Sequence, residues 1–306
     1  MNACRFVTHV TRSGCDQALW LWPKTGAWVH NQLLDAASTF QKKHFFVSME
    51  YAPLGLIGLL TPQANTTVEP EAWALLPTGY SLINARLVSP ASSLNQRLLD
   101  YFDQLESSLL QFANAPLSVL SLACTGSSYL MGREQESQWI DAWQTRLNIP
   151  VVTAGVAVAA ALRTLGVRRL DLLSPYDQDL TQASINYWIS HGFEIGKVQS
   201  VQTSEPGFHA IYTTSSESTA KAAQALRTSS ADAVLMLGTG MPTLKTLLAQ
   251  RNRTGPPWLS SMLALMWQSV AAIPSSHPEQ SDLQTWLNAR HWADRAQAMG
   301  IAHTTT

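Results

Sequence analysis

"VLSLACTG" at residues 119–126 returns, one residue shorter, as "VLMLGTG" at 234–240. Each copy is a short apolar run that stops at a glycine-containing turn, the pattern of a strand buried on both faces that leads into a helix. The repetition extends to both sides. "LLTP" at 59–62 recurs as "LLSP" at 172–175, and "PVVTAGVAVA" at 150–159 is echoed by "PWLSSMLALM" at 257–266. Three pairs in the same order at a nearly constant offset describe a duplicated unit with its join near residue 166.

Around these landmarks short apolar runs alternate with longer amphipathic stretches, as in a parallel sheet covered by helices. Strands are expected near 54–60, 81–87, 117–123, 150–153, 168–173, 193–199, 233–237 and 257–261. Helices are expected over 68–76, 92–113, 136–147, 155–165, 177–191, 216–228, 242–251, 262–272 and 281–298. The fold class is α/β: two pseudo-symmetric domains, each a four-stranded parallel sheet flanked by helices, with the active site in the cleft between them. The expected division is an N-terminal extension over 1–50, a first α/β domain over 51–165 with the Cys124 loop, and a second over 166–306 with the Gly238 loop and a C-terminal helix. The extension is Trp-rich ("LWLWPKTGAW", 19–28) with an extra strand at "HFFVSMEY" (44–51), and reads as a cap, lid or subunit contact. Packing is its expected role, as it is for Trp286 and Trp292.

Composition narrows the function. With 20 basic and 21 acidic residues and a net charge of −1, the chain lacks the basic stripe that a phosphate backbone requires, so nucleic acid is not an expected partner. The longest apolar run, "PLGLIGLL" at 53–60, falls far short of the ~20 residues of a membrane helix. The N-terminus has no signal-peptide pattern, and the expected location is the cytoplasm. Cys4, Cys15 and Cys124 are too few and scattered for a disulfide framework or a metal site, and Cys4 and Cys15 are expected to do no chemistry. The eight histidines show no metal-ligand spacing. "GTGMPT" lacks the third glycine of a dinucleotide fingerprint, and neither a P-loop nor a G-x-S-x-G elbow occurs.

The chemistry is therefore sought at the strand ends, where open α/β sheets bind ligands. Cys124 is either one more small buried hydrophobe or a thiol at the cleft. Thr125, Gly126, Ser127 and Ser128 beside it supply hydroxyls and N–H donors, an anion cradle whose field favours a thiolate. Gly238, Thr239 and Gly240 form the equivalent cradle without a nucleophile. In "TPQANTTVEP" (61–70), Asn65, Thr66 and Thr67 either bind a carboxylate or cap the next helix. Tyr176 can donate its phenol into the cleft or simply pack, and His209 in "EPGFHAIY" is a further candidate.

At this point the chain resembles a known group. "GLIGLLTPQANTTVEPEAWALLP", "LACTGSS", "LRTLGVRRLDLLSPYDQDL", "VLMLGTGMPTL" and "WLSSMLALMW" together look like the aspartate/glutamate racemase superfamily, in its branch of maleate cis–trans isomerases and arylmalonate decarboxylases. The resemblance spans about residues 54–272. It implies a pseudo-symmetric pair of α/β domains, no cofactor, and a small carboxylic acid held between them; no metal is expected, and a homo-oligomer is open. Members typically set one cysteine in each half on opposite faces of the substrate. Racemases use both, isomerases use the first as nucleophile, and arylmalonate decarboxylases keep only the second as proton donor. Here Cys124 matches the first position and Gly238 stands at the second. Asn65 matches the substrate-binding asparagine, Tyr176 the carboxylate-binding tyrosine, and Thr125 and Thr239 fall in the anion-binding loops.

Lacking a base on one face, the chain is not expected to be a two-base racemase. Cys124 can add to a carbon–carbon double bond and isomerise it, the leading expectation, or protonate the enediolate left by decarboxylation, from the face opposite to that of known decarboxylases. The alternatives are a hydrolase or lyase whose covalent Cys124 intermediate is resolved by water, with His209 or another group as base, and a non-catalytic carboxylate-binding protein.

Overall fold

The structure, a computed structural model, describes residues 49–202, 210–274 and 276–301. His209, Cys4 and Cys15 lie outside them, as does most of the extension. Of the extra strand expected over 44–51, only 49–51 are described, and they lead into a turn rather than forming a strand.

Eight described strands form two sheets. The first contains β1 (Gly55–Pro62), β2 (Tyr80–Leu87), β3 (Val119–Leu122) and β4 (Val151–Thr153) in the order β2-β1-β3-β4; the second contains β5 (Arg169–Ser174), β6 (Glu194–Ser200), β7 (Ala233–Met236) and β8 (Trp258–Ser260) in the order β6-β5-β7-β8. Every pairing is parallel. The central strands β1, β3, β5 and β7 are buried apart from Arg169 at the start of β5, because helices cover both faces, whereas the edge strands β2 and β6 carry several partly exposed residues. Continuous apolar runs such as "VLSL" are therefore the correct signal for these strands, rather than alternation.

The helices are α1 (Val68–Leu75), α2 (Leu94–Asp103), α3 (Leu105–Leu109), α4 (Thr125–Met131), α5 (Arg133–Leu147), α6 (Ala154–Thr164), α7 (Gln178–Ser190), α8 (Ser216–Ala223), α9 (Leu244–Gln250), α10 (Ser261–Ala271), α11 (Pro278–Ser281), α12 (Leu283–Leu287) and α13 (Ala293–Ala298). Three differences from the sequence reading have local causes. The helix expected over 92–113 breaks at Gln104, whose ψ of 18° leaves the helical range. The C-terminal helix expected over 281–298 is three short pieces: Asp282 is extended, its carboxylate bonding the N–H of Gln284, and Ala289 has a φ of 55°. Finally, α4 is a helix that propensity does not announce. "TGSSYLM" is rich in weak helix formers, and it is the complete burial of residues 125–129 that holds it helical.

The halves meet through equivalent parts. α6 and α10, the helices of the third repeated pair, form the most extensive helix–helix contact. Both start with matching caps, Val156 N–H donating to Thr153 Oγ1 at 3.2 Å and Leu263 N–H to Ser260 Oγ at 3.1 Å. Between β3 and α10, Ser121 Oγ and Ser269 Oγ are 2.7 Å apart. Trp286 and Trp292 are fully buried, and the Trp292 indole N–H donates to Trp286 O at 2.7 Å, a packing role. Arg295 on α13 donates to the last carbonyls of α1, Ala74 O and Leu75 O, so the C-terminal pieces lock onto the first half.

Candidate active site

Because both sheets have the same order and direction, the carboxyl ends of β1, β3, β5 and β7 converge on one cavity of about 330 Å³. The first half contributes Asn65 from the β1–α1 loop and Cys124, Thr125 and Gly126 from the β3–α4 turn; the second contributes Tyr176 after β5, Thr239 and Gly240 after β7, and Ile211 and Tyr212 from a 3-10 turn over 210–213. The remaining wall is largely carbon, including Leu94 and Leu98 of α2, Leu180 of α7 and Val201.

Cys124 ends β3 as the residue before α4, extended at φ −146° and ψ 101° and only 4% exposed. The Ser127 hydroxyl donates to its Sγ at 3.1 Å, and the N–H groups of Gly126 and Ser127 also point at it. Burial pushes the thiol up from its ordinary range, and these donors pull against that shift. Ser127 is itself fully buried and spends its donors on the thiol instead of lining the cavity.

Asn65 performs one of the two jobs that the sequence left open, the helix cap. Its Oδ1 accepts from the N–H groups of Thr67 at 2.9 Å and Val68 at 3.1 Å, capping α1, so the cap comes from Asn65 and not from a threonine hydroxyl. Its Nδ2 is buried with no hydrogen-bond partner among the described residues, at a residue that lines the cavity. A buried unpaired donor is costly, and a bound acceptor such as a carboxylate oxygen removes that cost. Thr67 instead donates its hydroxyl to Gly240 O at 2.8 Å, tying the two halves.

Tyr176 Oη and Thr125 Oγ1 are 2.9 Å apart. Burial raises the Tyr176 phenol, which is a neutral donor at ordinary pH. Thr239 is placed at the cavity too, but its hydroxyl proton goes to Ala123 O at 2.7 Å, so toward a ligand it offers only lone pairs and its N–H. Behind the cysteine turn, Glu136 of α5 is fully buried and accepts from Thr153 Oγ1 at 2.6 Å and Tyr187 Oη at 2.5 Å, fixing α5 against α6 and α7.

Gly238 does not line the cavity. It has a φ of 84°, and a β-carbon there would lie 2.8 Å from Ile211 Cδ1, 3.0 Å from Tyr176 Oη and 3.3 Å from Pro175 Cγ. The space that a side chain at 238 would use is thus already occupied. Tyr212 is the chemically capable residue that the sequence reading passed over. It sits in the quoted loop "EPGFHAIY", three residues after His209, and its ring lies close enough to Gly240 that a β-carbon there would meet Cε1 at 2.5 Å. Among the described residues no group of three or more His, Cys, Asp and Glu side chains could hold a metal, and no helix is long and apolar enough to cross a membrane.

Comparison with known proteins bears on the family and the fold. The family model described as arylmalonate decarboxylase matches residues 57–284. A curated maleate isomerase of Geobacillus stearothermophilus is 24% identical over 230 residues, covering 71% of this chain and 91% of that protein. Among solved structures, a maleate isomerase from Pseudomonas putida S16 carrying a cysteine-to-alanine change, determined with maleate, superposes with a TM-score of 0.65 at 20% identity, covering 74% of this chain and 97% of that one. The Nocardia farcinica maleate cis–trans isomerase, as a cysteine-to-serine mutant with a covalently bound succinylcysteine intermediate, gives 0.61 at 23% identity over 72% and 96% of the two chains.

Proposed function

The chain belongs to the arylmalonate decarboxylase family, and from that premise we propose that it is a cytoplasmic, cofactor-independent isomerase of maleate type, with Cys124 as its nucleophile. The observation that carries the reading is the surroundings of Cys124 Sγ. Ser127 Oγ–H and two backbone N–H groups donate to it, an environment built to accept negative charge on sulfur.

The reaction follows from the placement of donors. The Cys124 thiolate adds to one olefinic carbon of a bound cis diacid, forming a C–S bond and moving the π pair onto the neighbouring carbon and its carboxylate. Thr125, Tyr176 and Asn65 Nδ2 stabilise that enediolate, the first two as one hydrogen-bonded pair and the third as an otherwise unsatisfied donor. The former double bond is now single and rotates. The electron pair then returns, the C–S bond breaks, and the trans diacid leaves with the thiolate regenerated. Maleate isomerase activity in the relatives supports this reading.

A second reading rests on the burial of the same thiol. Because burial raises it, Cys124 is also suited to act as a neutral acid that protonates the enediolate of a decarboxylating malonate, the chemistry named in the family description. Incubation with maleate and, separately, with aryl- and alkylmalonates in D₂O, followed by NMR, separates the two. Isomerised maleate with no CO₂ release from malonates is the expected result. Turnover that survives Cys124→Ala would overturn both readings.

A further inference from the structure

We infer that Glu71 of the first half is a positioning residue for the second-half loop at 238–240, which it holds at the cleft together with Thr67; from the isomerase reading this inference takes only that the ligand is a diacid.

The two cleft turns are built differently. In the first half the residue after Cys124 already belongs to α4, so the Thr125–Gly126 turn is part of a helix. In the second half α9 starts only at Leu244, and residues 237–243 form neither helix nor strand. Thr239 and Gly240 line the cavity from within that irregular stretch, so bonds from outside it must set where their N–H groups point. Among the described residues, the side-chain hydrogen bonds that hold the stretch all cross to the first half. Thr239 Oγ1 donates to Ala123 O at 2.7 Å and Thr67 Oγ1 to Gly240 O at 2.8 Å. Glu71 accepts from Thr243 N–H, Thr243 Oγ1 and Leu244 N–H.

Thr67 and Glu71 stand four residues apart, about one helical turn, and so reach out from one face of α1. Thr67 holds the stretch at the cavity and Glu71 holds it where α9 begins, which pins Met241 and Pro242 between them. The Thr243 side chain does not cap α9; the first half supplies that cap instead. Glu71 is 3% exposed, and burial raises its carboxyl from 4.5 to about 7. An apolar side chain would fill the same interior without that desolvation, but it could accept from none of the three donors. The start of the same helix is capped by Asn65, whose Nδ2 is the unpartnered donor at the cavity. One rigid element thereby sets the spacing between Asn65 Nδ2 and the N–H groups of the second-half loop, a spacing that matters to a ligand with two carboxylates.

The test measures how well succinate, a saturated four-carbon diacid, protects Cys124 from iodoacetamide, with the monoacid butyrate as control, beside maleate kinetics. In Glu71→Ala the half-protecting succinate concentration and the maleate KM should both rise by ~10-fold or more, with a smaller change in kcat. Butyrate protection and the alkylation rate of the ligand-free protein should stay at their wild-type values. Glu71→Gln, whose amide can serve the same three partners, should keep succinate protection close to wild type. Thr243→Val removes only the hydroxyl end of the contact and should give a smaller loss in the same direction, which keeps the inference testable if Glu71→Ala does not fold. Succinate protection unchanged in whichever of these two variants folds, a Glu71→Gln protein as impaired as Glu71→Ala, or butyrate weakened as much as succinate would overturn the positioning role. If succinate does not protect wild type, this inference falls. A wild type that succinate protects but that leaves maleate unchanged loses the isomerase reading alone.

Discussion

Tyr176 Oη stands 2.9 Å from Thr125 Oγ1, so one hydrogen bond at the cavity joins a residue of each half next to the thiol. Each hydroxyl orients the other's remaining proton or lone pairs, so in the proposed reaction the two would act as a unit toward a carboxylate. Tyr176→Phe should therefore lower kcat/KM by ~100-fold, with Thr125→Val similar and the double variant little worse than either. Steady-state kinetics with maleate checks this; additive losses would mean that the two groups bind separately.

Asn65 offers a cleaner separation of folding from binding. Asn65→Asp keeps an oxygen at Oδ1 to cap α1 but turns the unpartnered donor Nδ2 into a second acceptor facing the ligand. The melting temperature should stay close to wild type, while KM rises by at least ~10-fold from repulsion between carboxylates. Thermal unfolding and kinetics on the same preparation give the comparison.

The pH profile reports on the state of Cys124. Burial holds the thiol above its ordinary range, so the thiolate fraction at neutral pH is small and isomerisation should climb as pH rises through that shifted value. Ser127→Ala removes a donor that favours the charged form and should push the limb to still higher pH. Decarboxylation with a neutral thiol as acid would instead fall along the same limb, so the direction of the slope discriminates the two chemistries.

Gly238→Cys tests whether the cleft could regain a second thiol. The residue sits at φ 84°, and the new β-carbon would lie 2.8 Å from Ile211 Cδ1. Backbone strain and displacement of the 210–213 turn should together cost ~1–3 kcal/mol or more, read as a lowered unfolding midpoint. Turnover should drop with it, because the new side chain also crowds Tyr176 Oη, 3.0 Å from that β-carbon.

Glu71 carries a pH-dependent part of stability. This α1 carboxyl is fully enclosed and bonds Thr243 N at 2.5 Å, Leu244 N at 3.1 Å and Thr243 Oγ1 at 2.8 Å, joining the first half to the start of α9. Burial raises it from 4.5 to about 7 despite those donors. A carboxyl raised on folding keeps its proton in the native state where the unfolded chain has lost it. Its contribution is therefore whole below about pH 4.5 and declines as pH rises to about 7, by ~3 kcal/mol in all. In Glu71→Gln the amide oxygen still accepts both N–H groups and the NH₂ reaches Thr243 Oγ1, so that decline should disappear from urea midpoints measured across this range.

Much of the site was legible because strand ends are locally encoded. Apolar runs that stop at "TPQAN", "ACTG", "SPY" and "GTG" placed Asn65, Cys124, Tyr176 and Thr239 at the carboxyl edge of one sheet or the other, and the repeated order brought those edges together. Tyr212 was missed because its element is a single 3-10 turn with no periodic pattern, and a histidine nearby drew the chemical reading. α4 was missed because its sequence alone does not prefer a helix.

The sequence by itself therefore determined the doubled parallel α/β architecture, since strand and helix periods are properties of neighbouring residues, and it placed a lone thiol where that architecture binds ligands. Only the tertiary structure decided how each polar group is spent. Thr239 reaches Ala123 across 116 positions and Tyr176 meets Thr125 across 51, and such bonds exist only once the two sheets have packed. The same packing lets Ile211 and Tyr212 settle against Gly238 and Gly240. That contact fills the space beside both glycines with side chains of the 210–213 turn.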